Sequence, residues 1–253
     1  MDFMPYVCLG DWIEDPNFER SSNVPNERFT IDLVRILVNS GAKSLELGIP
    51  FSDPIADGPT IQAASERSLK NGMTREKAFE LIKKIRAITN IPLTVMTYYN
   101  IVFSYDNEKF IKKIKEAGAN NLLCPDLPLE ESEDLFKLGK KYGINIIFLI
   151  APNSSEERIK KICRVASGFL YLVSTSGVTG ARKELPEELK ETISRVKKHS
   201  KVPVVVGFGI SNKDQIEELE NAGADGFIIG SKIVDLYTKG NLKDVALFCK
   251  SLI

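Results

Sequence analysis

Three carboxylates, Glu46, Asp53 and Asp57, stand close together on a proline- and glycine-rich segment that follows an apolar, strand-like run. A carboxyl at the end of a buried strand is desolvated, which raises its pKa toward the range useful for proton transfer. An isolated acid after a strand would read as part of a surface rim. Here the flanking Gly48, Pro50, Pro54, Gly58 and Pro59 argue for a held backbone that aims the acids. Composition sets other chemistries aside. The single histidine, His199, ends a basic stretch ahead of a strand, which argues against histidine triads and histidine-ligated metals. Cys8, Cys124, Cys163 and Cys249 lack metal-ligand spacing and read as reduced core thiols, so no metal is expected. No lysine reads as a Schiff-base nucleophile at a strand end, and Lys232 is expected to point outward. Paired carboxylates remain as the proton-transfer groups.

A second set of residues suits an anion. Residues 174–181 form a hydroxyl-rich loop with Gly177 and Gly180, able to present backbone N–H groups or to close as a lid. Arg182 and Lys183 read as solvating it, with a phosphate role as the alternative. Gly207-Phe208-Gly209 and Gly230-Ser231 follow two further strand-like runs, and Ser231 opens a short helix through Val234. Glycines that merely make tight turns would look alike singly, but three such loops in succession favour a phosphate site. Tyr98, Tyr171 and the segment from Pro125 through Asp126 to Pro128 add rings and one carboxylate, while Leu123 and Ile228 make an apolar wall. A phosphorylated small molecule with a hydrophobic head would suit such a site.

These residues need a frame that brings strand ends together. Apolar β-rich runs recur at 3–9, 44–48, 93–98, 121–124, 145–150, 169–173, 204–208 and 226–229. Amphipathic segments lie between them at 29–40, 74–89, 108–117, 131–142, 155–165, 186–198 and 213–221, with apolar residues at helical spacing. Three helices stop alike, at Ser40-Gly41-Ala42, Ala117-Gly118-Ala119 and Ala222-Gly223-Ala224. Eight strands alternating with helices in 253 residues point to a single-domain (β/α)8 TIM barrel spanning the chain. Cys8-Leu9-Gly10-Asp11-Trp12 lacks the glycine pattern of an open dinucleotide-binding sheet. A long first βα loop is expected at 11–28. Lys plus Arg and Asp plus Glu balance at 34 each, which gives no reason to expect nucleic acid or a membrane surface as partner. No run is long enough to span a bilayer, and with reduced thiols the expectation is a cytoplasmic protein.

From Phe3 to about Val234 the chain resembles the α subunit of tryptophan synthase, which cleaves indole-3-glycerol phosphate to indole and glyceraldehyde 3-phosphate. The resemblance rests on ELGIPFSDPIADGPTIQ at 46–62, SGVTGA at 176–181, GFGIS at 207–211 and IGSKIV at 229–234, in order and spacing. It implies that Glu46 and Asp57 are catalytic and that Tyr171 helps position the glutamate and substrate. Gly180, Gly209, Gly230 and Ser231 would hold phosphate, while Tyr6, Tyr98, Leu123, Phe208 and Ile228 would surround indole. Asp53, Pro54, Asp126 and Pro128 would face a β subunit in an αββα complex. Pyridoxal phosphate would belong to that partner and no cofactor to this chain. Two departures stand out: the chain starts almost at its first strand, leaving the barrel's lower opening to be covered otherwise, and the 11–28 loop adds Trp12 and Phe18. Tyr6 also stands where many relatives carry phenylalanine. Two other readings are an allosteric module that binds phosphate without cleaving, and another phosphate-binding barrel such as phosphoribosylanthranilate isomerase or indole-glycerol-phosphate synthase.

Overall fold

The computed structural model describes residues 1–12, 25–173, 185–207, 209, 210, 212–239 and 241–252, with the side chains of 25 and 26 left aside. The strands are β1 (Asp2–Cys8), β2 (Leu45–Gly48), β3 (Leu93–Met96) and β4 (Asn121–Leu123), then β5 (Asn145–Ile150), β6 (Leu170–Val173), β7 (Val204–Gly207) and β8 (Gly226–Ile229). They pair in chain order, all parallel, and β8 returns to β1 to close a barrel. The register sets Tyr6 beside Glu46, Tyr171 beside Val205 and Gly207 beside Ile228.

The helices are α1 (Pro25–Asn39), α2 (Pro59–Lys70), α3 (Arg75–Ile88), α4 (Tyr99–Tyr105), α5 (Asn107–Glu116) and α6 (Glu133–Tyr142). They continue with α7 (Glu156–Val165), α8 (Glu187–Lys197), α9 (Lys213–Asn221), α10 (Ser231–Lys239) and α11 (Leu242–Leu252). No described helix is long and apolar enough to cross a membrane.

Both faces of each strand are covered, so apolar residues run on without alternating, as in Asn145-Ile-Ile-Phe-Leu-Ile150. One face fills the barrel with Met4, Leu123, Ile147, Phe169, Val205 and Ile228. The other, with Val7, Leu47, Val95, Phe148, Val206 and Phe227, packs under the helices. The three glycine stops behave alike. Gly41, Gly118 and Gly223 have φ of 95°, 93° and 94°, and Ala42, Ala119 and Ala224 each donate back to the carbonyl five residues earlier. That is the Schellman ending, which only a residue without Cβ adopts cheaply.

Several elements differ from the sequence expectation. Helix α1 opens at Pro25, so the first loop ends earlier than the expected 28, since proline suits a first helical turn where no N–H bond is needed. Residues 13–24, Phe18 among them, lie outside the described residues, while Trp12 is half-buried against the core. Helix α2, absent from the sequence expectation, has no clear apolar period because its buried face carries Ser65 and Ser68 beside Ile61 and Ala64. Helices α4 and α11 were also unforeseen, and α10 runs past Val234 to Lys239. At the lower opening, inward side chains form a polar ladder. Asn121 donates to Thr94 Oγ1 at 3.0 Å, and Asn145 donates to Asn121 Oδ1 at 2.9 Å.

Candidate active site

The barrel places Glu46 on β2 with its side chain inward, beside Tyr6 on β1. Glu46 is 1% exposed, and among the described residues its Oε1 has no hydrogen-bond partner. A buried polar oxygen is rarely left so without a reason. Burial and, after it, the charge of Asp57 push the Glu46 carboxyl up to about 8.

Asp57 stands at the end of the loop after β2, one residue ahead of the Gly58-Pro59 start of α2. Tyr98, at the mouth of β3, donates its hydroxyl to Asp57 Oδ2 at 3.0 Å, and the Tyr98 hydroxyl oxygen accepts the Ala56 N–H at 2.9 Å. From α2, Gln62 reaches back to the carbonyl of Asp57 at 2.8 Å, and the Phe51 ring stacks on Tyr98 at 5.1 Å. The loop is therefore held on both sides. Burial raises the Asp57 pKa, and the Tyr98 hydrogen bond opposes that rise by favouring the charged form.

A cavity of about 370 Å³ is lined by Tyr6, Glu46, Asp57, Tyr171, Gly209, Ile228, Gly230 and Ser231, so most of the expected pocket residues meet at one place. Two glycines make room for its tyrosines. A methyl group at Gly207 would collide with the Tyr171 hydroxyl, and one at Gly48 with the Tyr6 ring and hydroxyl. A Cβ at Gly209 would meet nothing within 4 Å, which leaves its backbone open to the cavity. Ser231 begins α10, whose first N–H groups lack intrahelical acceptors and carry partial positive charge. The arrangement can therefore seat an anion at one end while two coupled carboxyls act at the other.

Other expected residues lie elsewhere. Leu123 is fully buried below the cavity, in the interior cluster with Ile228, and is not on the cavity wall. Gly180 and Phe208, with Arg182 and Lys183, lie outside the described residues. Asp53 is exposed on the rim and accepts from Ser52 at 2.5 Å. Asp126 accepts the Tyr99 N–H at 2.9 Å, which caps α4, and with Pro128 it borders a second cavity near Phe148 and Val173. His199 lies away from the site, its Nε2 2.6 Å from Glu156. Lys232, in the first turn of α10, borders the cavity, with its side chain exposed and its ammonium over the Phe248 ring of α11, 5.8 Å from the centroid. As the second residue of α10, its Cα–Cβ bond tilts toward the helix N-terminus and so toward the cavity mouth.

Ile61, Met96, Ile210 and Asp235 also line the cavity and went unnoticed in the sequence. So did a buried clasp beside it. Asp11, just past β1, accepts Arg67 Nε at 2.8 Å and Nη2 at 2.7 Å from α2, and also the Tyr237 hydroxyl from α10. The helix that follows Asp57 is thereby tied to the helix that begins at Ser231.

Comparison with known proteins agrees with this geometry. The family model described as tryptophan synthase alpha chain matches residues 2–248. The tryptophan synthase alpha chain of Methanothermobacter thermautotrophicus is 43% identical over 250 residues, 99% of this chain and 87% of that one. That of Methanocaldococcus jannaschii is 51% identical over 213 residues, covering 82% of this chain and 75% of its own. Among solved structures, the tryptophan synthase α2β2 complex from Pyrococcus furiosus matches with a TM-score of 0.88 and 34% identity, over 99% of this chain and 96% of the other. With both its sequence and its barrel shared across nearly its full length, the chain belongs to the tryptophan synthase alpha chain family.

Proposed function

We propose that this chain is the α subunit of a tryptophan synthase and cleaves indole-3-glycerol phosphate with Glu46 and Asp57 as its acid–base and electrostatic groups. The observation that carries the reading is the buried Oε1 of Glu46, without a hydrogen-bond partner among the described residues and beside a cavity that Asp57 also lines. With its pKa up to about 8, Glu46 holds a proton at neutral pH and starts the reaction as an acid. It gives that proton to the ring carbon that bears the side chain. The ring nitrogen becomes electron-poor, and Asp57 accepts its N–H, stabilising the charge as it develops. Glu46, now a carboxylate, takes the proton of the adjacent side-chain hydroxyl. The oxygen's electrons form the aldehyde, the carbon–carbon bond breaks and its electrons return to the ring. Glu46 ends protonated, ready for another turn.

The phosphoryl group sits at Gly209, Gly230 and Ser231, where open backbone and a helix N-terminus favour an anion. Tyr171 positions Glu46 and substrate from β6, Tyr6 and Ile228 bound the indole, and Tyr98 acts beside it through its hydrogen bond to Asp57. Indole passes to a β subunit in an αββα complex, and pyridoxal phosphate belongs to that partner, with no cofactor in this cytoplasmic chain. The rim that would meet it carries Asp53, Pro54, Asp126 and Pro128. Ile55 and Phe103 are 83% and 67% exposed, which is unusual for large apolar side chains on a free surface.

The test supplies indole-3-glycerol phosphate to the purified chain, measures indole, and repeats it with a β subunit and serine. Indole from the chain alone and faster turnover with the partner support the reading. No indole under either condition would overturn it.

A further inference from the structure

Beside the protonated Glu46, two further acids line the cavity where an anion is meant to sit, Asp57 and Asp235, and among the described lining residues Lys232 is the sole cation. A phosphoryl dianion entering that field is repelled, and the roughly half charge of a helix N-terminus does not offset it. Lys232 stands beside that terminus. Its side chain is exposed, and among the described residues its ammonium makes no ion pair and lies over the face of the Phe248 ring, 5.8 Å from the centroid. At that range a cation–ring attraction is weak and easily exchanged. Asp235, one turn along α10, is drawn the other way by Lys239 at 3.5 Å.

We infer that Lys232 is a substrate-binding residue: its ammonium leaves Phe248 and engages a phosphoryl oxygen seated over Gly230 and Ser231. A separate observation says the cavity takes a ligand at all, since the buried Glu46 Oε1 at its far end has no partner among the described residues. The inference rests on the phosphorylated-substrate reading above and deepens it, by assigning the charge that neutralises the dianion. An ammonium on a flexible stem acts as a point charge, so it serves affinity for the doubly charged phosphoryl rather than the chemistry at the ring.

Lys232→Ala and Lys232→Arg, both at an exposed position, test it in the intact chain. Indole release is followed against indole-3-glycerol phosphate concentration, and inorganic phosphate binding is measured by titration calorimetry. For Lys232→Ala we expect KM about tenfold higher with kcat within about twofold of wild type, the size of one lost charge-assisted hydrogen bond. Phosphate affinity should fall by a similar factor and lose part of its salt dependence, and Lys232→Arg should restore most of both. Unchanged KM and unchanged phosphate affinity in Lys232→Ala would overturn the inference, as would a loss confined to kcat. If wild type binds phosphate in a Lys232-dependent way yet yields no indole, the assignment of Lys232 stands and the function reading falls.

Discussion

The Tyr98 hydroxyl donates to Asp57 Oδ2 at 3.0 Å while accepting the Ala56 N–H at 2.9 Å, so one side chain holds both the carboxylate and the backbone of its loop. Tyr98→Phe removes both. A hydrogen bond to a charged group contributes about 1.5–3 kcal/mol, so kcat/KM should fall by about tenfold or more. The bond also favours charged Asp57, so its loss raises that pKa further and moves the acidic limb of the pH–rate profile to higher pH. A profile identical to wild type would show that Tyr98 does not act on Asp57.

Glu46→Gln separates activity from stability. Removing the general acid should cost about 10²–10⁴-fold in indole release, read in a direct assay. Stability should move the other way. With the folded pKa of Glu46 raised to about 8, the native state binds a proton that the unfolded chain has released above its ordinary carboxylate pKa. Stability from this group therefore falls as pH rises from about 4.5 to 8. The glutamine variant escapes that loss, so its Tm should exceed that of wild type by more at pH 8 than at pH 5. An equal gap at both values would mean Glu46 is not protonated in the native cavity.

The two tyrosines of the cavity stand on glycines, and the Tyr6 pair gives a clean test. Gly48→Ala sets a methyl group against the Tyr6 ring, whose Cζ would lie 2.6 Å away. Overpacking of this kind costs about 1–3 kcal/mol. Tyr6→Leu removes the colliding atoms, so the double variant should be more stable than the sum of the single effects predicts. Denaturant unfolding of the four proteins measures that coupling. Strict additivity would place the Tyr6 hydroxyl elsewhere.

The Asp11 clasp predicts a stability defect outside the cavity. The Asp11 side chain is 0% exposed and that of Arg67 30%. Breaking a buried ion pair costs about 3–5 kcal/mol, and the low end, about 3 kcal/mol, applies because Arg67 can turn to water. Asp11→Ala should show this in urea unfolding, and a loss below about 0.5 kcal/mol would reduce the cluster to a surface pair.

Much of this protein was legible in its residue order. The eight βα alternations show in apolar runs and helical spacing, and the three Schellman endings show as Gly41, Gly118 and Gly223, because periodicity and turn chemistry act over a few residues. Glu46 and Asp57 stood out for the same reason, with prolines and glycines holding their loop. Helix α2 did not, because small polar residues on its buried face erase the period that local reasoning reads.

What the chain's order could not reveal depends on partners distant along it. That Gly48 and Gly207 exist to seat Tyr6 and Tyr171 follows from strand register and the inward facing of alternate residues. That Asp11 joins α2 to α10, residues 56 and 226 positions away in Arg67 and Tyr237, follows from barrel closure. That Lys232 stands at the cavity's edge with its ammonium over Phe248 follows from how α10 docks against the strand ends and α11, which residue order does not show. Local order sets which residues can do chemistry; closure of the barrel sets which of them share a cavity, since burial and charge act through space and not along the chain.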